Sequence, residues 1–153
     1  MNYAMRNTAM NAYGKQSLAI EVEAASPHRL ILMLFEGAVT ACHMGKLHMQ
    51  NGSVAEKGMA ISKAIAIIEE GLRLSLDKEV GGELVNNLDA LYAYMGQRLL
   101  QANVKNDPAL IDEVLGLLTG LKEAWAQIDP ARAATSQSAP QPDRSTPLTY
   151  GQV

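Results

Sequence analysis

Cysteine, tryptophan and phenylalanine occur once each in the 153 residues, and aromatic residues together make up only 5%. The single thiol, Cys42, has no partner for an intramolecular disulfide, and its apolar helical setting makes it an inert buried group. With so few rings, aliphatic side chains and the eight methionines must fill any core. Base is not in excess either: 13 Lys and Arg against 16 Asp and Glu give a net charge of -3. No stretch clusters the cations that phosphate neutralisation needs, which argues against a nucleic-acid partner. Residues 1–16 lack the apolar run of a secretory signal, and no later window holds 18 uninterrupted apolar residues. A cytosolic protein without direct membrane insertion is therefore expected.

Period-two alternation, the mark of a half-buried strand, is missing along the whole chain. Proline is missing between residues 28 and 107, and that interval reads as mostly helix. Two prolines stand directly after good N-cap residues, as Ser26-Pro27 and Asp107-Pro108, so each pair opens a helix. After Pro27, Leu30, Leu34, Ala38 and Ala41 recur every three or four residues, and the helix should end near Gln50-Asn51-Gly52. Ser53 and Glu56 have capping-box spacing before a stripe of Ile61, Ile65, Ile68, Leu72 and Leu76. Charge and paired glycines at 77–82 break that stripe. From Glu83 a third runs through Leu84, Leu88, Leu91, Met95 and Leu99, and a fourth runs from Ile111 to Ile128.

Hydrophobic residues reach 48%, and 153 residues suffice for one domain with its own core. Four helices joined by about 2 to 8 residues are antiparallel neighbours, so the expected fold is all-α, an up-down-up-down four-helix bundle. The division is an N-terminal cap segment over 1–25, the bundle over 26–129, and a tail over 130–153. The tail's Ser, Thr, Gln, Ala and Pro composition makes it disordered by expectation.

A metal site in such a bundle needs carboxylates and Glu-x-x-His spacing, and that motif does not occur. His43 and His48 lie about 140° apart around a helix and do not converge. Gly81-Gly82 has no following Lys, so no phosphate loop is read, and no Ser or Cys has an evident base. Neither enzyme activity, nor a metal, nor any other cofactor is expected. Gly116 and Gly120 read as sites of close helix packing. What remains is apolar excess: Ile31, Leu32, Met33 and Phe35, then Ile67 and Leu74, then Val85, Tyr92 and Leu100 exceed one stripe per helix. That excess fits either a thick core or a groove for an amphipathic partner helix.

Four segments carry a resemblance: SPHRLILMLFEGA at 26–38, SKAIAIIEEGL at 62–72, LDALYAYMGQRLLQANVKND at 88–107 and EVLGLLTGLKEAW at 113–125. Over roughly residues 10–129 the chain resembles the flagellin chaperone family called FliS. The resemblance implies a cytosolic export chaperone that binds the disordered C-terminal segment of flagellin in apolar grooves. It would block premature polymerisation and deliver flagellin to the flagellar type III export gate. Further partners consistent with it are that gate and an anti-sigma factor, and the expected state is a monomer or weak homodimer. The client-binding residues it implies are Ile65, Ile68, Leu72, Leu88, Leu91, Tyr92, Met95, Leu99 and Asn103. Met10 and Tyr13 match an N-terminal gate that covers the empty groove, while Gly71 and Gly96 depart from the pattern and suggest close approach by a client. The alternative reading is a helical-bundle adaptor or regulator for another amphipathic helix, such as an anti-sigma factor.

Overall fold

Ser26 and Pro27 start the first long helix for the reason the sequence suggests: the Ser26 Oγ accepts from the Arg29 N–H at 3.1 Å, and proline gives up an amide that no helical carbonyl would use. The computed structural model describes residues 18–128 apart from residue 23, and no strand occurs among them. The helices are α1 (Pro27–Asn51), α2 (Val54–Ala66), continued as a π-helix over Ile67–Arg73, α3 (Gly82–Lys105) and α4 (Pro108–Ala126). By internal contact the chain falls into two units, one including residues up to Leu30 and the other spanning Ile31–Asp129. In the first, residues 18–22 and 24 are helical, and Arg29 pairs with Glu21 at 3.1 Å in an exposed ion pair.

The second unit holds the core. At its start, α1 closes through Gly52, whose φ of 74° suits a residue without Cβ. The Ser53 N–H donates to the His48 carbonyl at 2.9 Å and the Gly52 N–H to Met49 at 3.3 Å, the paired bonds of a Schellman ending. That ending corrects one expectation. Ser53 is the N-cap of α2, yet its side chain makes no cap bond, and the Ser53 amide that the Glu56 carboxylate would have to reach is already given to His48.

Asn106, at φ 56°, ends α3 in the left-handed region, and Asp107 then caps α4 by accepting from the Ala109 N–H at 3.0 Å. The third helix opens at Gly82, one residue earlier than expected, with φ of 60°.

Each helix gives one face to the core: Phe35, Ala38 and Cys42 from α1, Ile61, Ile68 and Leu72 from α2 and its continuation, Tyr92, Met95 and Leu99 from α3, and Ile111, Val114 and Leu118 from α4. An 18-residue window within Pro27–Gln50 has a mean hydropathy of 1.4, enough by length and composition alone to cross a membrane. In the fold, Ala38, Ala41, Cys42 and Met49 of that helix lie in the core.

Interhelical contacts follow a regular order. A Cβ on Gly45 would meet Ile61 at 2.9 Å, one on Gly37 would meet Ile67 at 3.4 Å, and one on Gly71 would meet Leu34 at 2.9 Å. Lys57 bonds to Asn103, a Cβ on Gly96 would meet Glu69 at 2.9 Å, and Arg73 pairs with Asp89. In both sets the residue numbers rise on one helix as they fall on the other. Arg98 joins α3 to Glu113 of α4 at 2.8 Å, and Lys46 joins α1 to Asp112 of α4 at 2.7 Å. Gly71 and Gly96 thus make room for the chain's own Leu34 and Glu69, a correction to their reading as places of client approach.

Candidate functional site

Residues every fourth position along a helix share a strip of its surface, and this places apolar groups outside the core on both α2 and α3. On α2 the core stripe passes through Ile61, and Met59 lies about 160° around the helix from it. Met59 is accordingly 73% exposed, and Val54, the first residue of the helix, is 71% exposed. On α3, Leu100 and Val104 stand four apart on the side away from Met95, and both are exposed. Between the two helices lies an open groove of about 830 Å³, lined by Val54, Ala55, Gly58, Met59, Ser62 and Lys63 from α2 and by Asn103 from α3.

The groove's walls are held at their end by a buried cation. Lys57 is 7% exposed, and its Nζ donates to the Asn103 carbonyl at 3.0 Å and to Asn106 Oδ1 at 2.9 Å. The Asn103 carbonyl is one of the last-turn acceptors that helix geometry leaves open, so an amine from α2 completes the end of α3. Lys63, on the rim, makes no ion pair among the described residues.

A charged network fixes the other end of the same helix pair. Arg73 donates to Asp89 at 2.7 Å and to Glu69 at 2.8 Å, and Lys78 approaches Asp89 at 3.3 Å. The Arg73 hydrogen bond holds the Asp89 carboxyl below its ordinary range. Beside this network a second depression of about 570 Å³ is lined by Glu69, Arg73, Leu74, Leu76, Asp77, Lys78 and Glu79. Between α3 and α4, Tyr94 donates to Glu113, which also accepts from Arg98; the Tyr94 bond, then the Arg98 bond, holds the Glu113 carboxyl down.

The nine residues expected to bind a client divide by burial. Ile68, Leu72, Tyr92, Met95 and Leu99 are core residues, each 4% exposed or less. Burial pushes the Tyr92 hydroxyl up to about 12. Ile65, Leu88 and Leu91 are half-buried against that core, and Asn103 lines the groove. Farther out on the same row of α3, beyond Leu91 and Leu88, Leu84 is 68% exposed, so the core stripe emerges to the surface at that end of the helix. Met10 and Tyr13 lie outside the described residues.

Sequence reasoning missed Val54, Gly58, Met59, Lys63 and Val104 as groove or near-groove residues, and it missed Lys57 altogether. For Met59, Lys63 and Val104 the signal available was angular, since each lies off the stripe that the buried residues define, whereas Val54 and Lys57 stand seven and four residues before Ile61 on that stripe. Gly116 and Gly120, read as sites of helix packing, are exposed, and a Cβ on either would meet nothing within 4 Å.

Comparison with known proteins adds to this geometry. The family described as "Flagellar protein FliS" matches residues 9–132. The chain is 50% identical over 123 residues to the flagellar secretion chaperone FliS of Salmonella typhimurium, covering 80% of this chain and 91% of that protein. It is 44% identical over 125 residues to the flagellar secretion chaperone FliS of Escherichia coli, covering 82% and 90%. To the flagellar secretion chaperone FliS of Bacillus subtilis it is 36% identical over 106 residues, covering 69% and 77%.

Proposed function

We propose a function from one premise: the chain belongs to the FliS family of flagellar proteins. It acts as a flagellin-specific type III export chaperone. It holds the disordered C-terminal segment of flagellin in apolar grooves, keeps flagellin from polymerising in the cytosol, and hands it to the export gate. It works as a binding protein, without catalysis or a cofactor. The observation that carries this reading is the open, apolar-lined groove between α2 and α3, together with the exposure of Leu100 and Val104 on α3. An amphipathic client segment buries its own apolar stripe in such a groove, and apolar area removed from water stabilises by roughly 25 cal/mol per Å².

The scaffold in this proposal is an antiparallel up-down-up-down bundle over 26–129. Supporting it are the opposed numbering of contacts between α1 and α2 and between α2 and α3, and the ion pairs that join α4 to both α3 and α1. Ahead of the bundle, 1–25 serves as the gate segment carrying Met10 and Tyr13, and 130–153 is the tail. Among the client-binding residues, Ile65, Leu88, Leu91 and Asn103 touch the client directly. Ile68, Leu72, Tyr92, Met95 and Leu99 shape the surface from beneath.

The test is calorimetric titration of the full chain with the C-terminal segment of flagellin from the same cell. One-to-one binding with a large negative heat-capacity change is expected, the mark of apolar burial coupled to folding. Absence of heat, together with an unshifted sizing-column profile, refutes the assignment.

A further inference from the structure

Glycine inside a helix costs about 0.5–1 kcal/mol relative to alanine, so each helical glycine calls for a local cause. For three of them the fold supplies one: Cβ atoms on Gly45, Gly71 and Gly96 would lie 2.9 Å from Ile61, Leu34 and Glu69. Like Gly116 and Gly120, Gly58 has no such neighbour, and of the three it is Gly58 that lines the α2–α3 groove. It sits within α2, half-buried, its φ is ordinary, and a Cβ there would meet nothing within 4 Å. The space it leaves opens into the α2–α3 groove, between exposed Val54 and Met59.

The groove's charge is one-sided. Among the described residues Lys63 is the sole ionisable group lining it, and Lys57 is bonded to the carbonyl of Asn103. No carboxylate lines the groove, and Lys63 has no ion pair among the described residues. An occupant with an apolar stripe and a carboxylate fits these walls; one carrying a cation at the rim does not.

We propose that Gly58 is a specificity-determining residue: a large apolar side chain of a bound client helix seats over its bare Cα, and a carboxylate of the same helix pairs with Lys63. This deepens the chaperone reading and rests on it. The client is thereby specified as an amphipathic helix with an acidic residue beside its apolar stripe. Because a Cβ on Gly58 would meet no other part of the protein within 4 Å, its substitution by alanine separates folding from binding. Alanine there favours the helix while it crowds the occupant, and the two effects have opposite signs.

The experiment titrates the C-terminal flagellin segment into the wild-type full chain and into Gly58→Ala, Gly116→Ala and Lys63→Glu, with thermal unfolding of each. Gly116 is the control, a helical glycine with equally open space on α4. Both glycine variants should melt higher than the wild type. Gly58→Ala should bind about tenfold more weakly, as expected when a methyl group overpacks a fitted contact, while Gly116→Ala binds as the wild type does. Lys63→Glu should weaken binding severalfold at low salt, with the difference shrinking as salt rises.

Wild-type binding with unchanged affinity in Gly58→Ala overturns the role of Gly58. Salt-independent, wild-type affinity in Lys63→Glu overturns the carboxylate partner. Self-association of the wild type that Gly58→Ala abolishes, without loss of flagellin binding, assigns the groove to a second copy and overturns the client. Failure of the wild type to bind at all sinks the chaperone reading itself, a result distinct from each of these.

Discussion

Lys57→Met keeps most of the buried stem and removes the ammonium, so it isolates what the two bonds at the end of α3 contribute. In the wild type, Nζ lies 3.0 Å from the Asn103 carbonyl and 2.9 Å from Asn106 Oδ1, on a side chain 7% exposed. Hydrogen bonds to a charged group are worth about 1.5–3 kcal/mol each, and the variant also leaves the Asn103 carbonyl without this partner. Against that stands relief from burying a cation, which offsets a substantial part of the gain. The balance is a loss of roughly 1–2 kcal/mol, or about 2–8 °C in Tm for a chain of this size. Urea and thermal unfolding of the full chain measure it. A double-mutant cycle with Asn106→Gly identifies the source, because glycine accepts the left-handed φ of 56° while deleting the Oδ1 partner. Additive effects, or a Lys57→Met variant as stable as the wild type, refute the claim that this amine ties α2 to α3.

Gly116→Ala and Gly120→Ala should each raise stability by about 0.5–1 kcal/mol in denaturant unfolding, since both sites are helical, exposed and open; a loss at either would mean something packs there. Asp89 has its carboxyl depressed by Arg73, so its contribution is present above the unfolded-state pKa and fades as pH falls through the folded one. Stability measured from about pH 6 to pH 3 should therefore drop more steeply in the wild type than in Asp89→Asn, and parallel curves would refute the pairing. Cys42 is fully buried, and its thiol is pushed up to about 12 by burial alone. Native protein should resist a thiol reagent at pH 8 and react at the rate of unfolding; immediate labelling would contradict the burial.

Helix boundaries were legible because they rest on local chemistry: proline at 27 and 108, glycine at 52, and Asp107 as a cap act within a turn of themselves. The reciprocal half of the capping box at Ser53 failed because two motifs compete for one amide, and only the closing bonds of α1 decide which gains it. The π-helical continuation over Ile67–Arg73 was not legible, since Ile68 and Leu72 keep a spacing that either helix type tolerates.

The candidate site was harder to read. The expected set followed the strongest stripes, and the strongest stripes are what the core uses: Ile68, Met95 and Leu99 are fully buried. A groove is made of residues beside the stripe, such as Met59 and Lys63, and of residues at the stripe's ends, such as Val54 and Asn103, and which of them are left open depends on where the neighbouring helices sit. Gly71 and Gly96 illustrate the same limit. A glycine in sequence signals missing volume without saying whose atoms fill it, and here they are those of Leu34 and Glu69.

The hydropathy of α1 has a consequence for the order in which the chain is made. Synthesis proceeds from the N-terminus, so Pro27–Gln50 emerges from the ribosome before Ala60, Ile61 and Ile67, the side chains beside its glycines, have emerged. During that interval a segment apolar enough to enter a bilayer stands uncovered. Its protection is temporal: the window closes when α2 arrives, and Gly37 and Gly45 let that arriving helix come close at once.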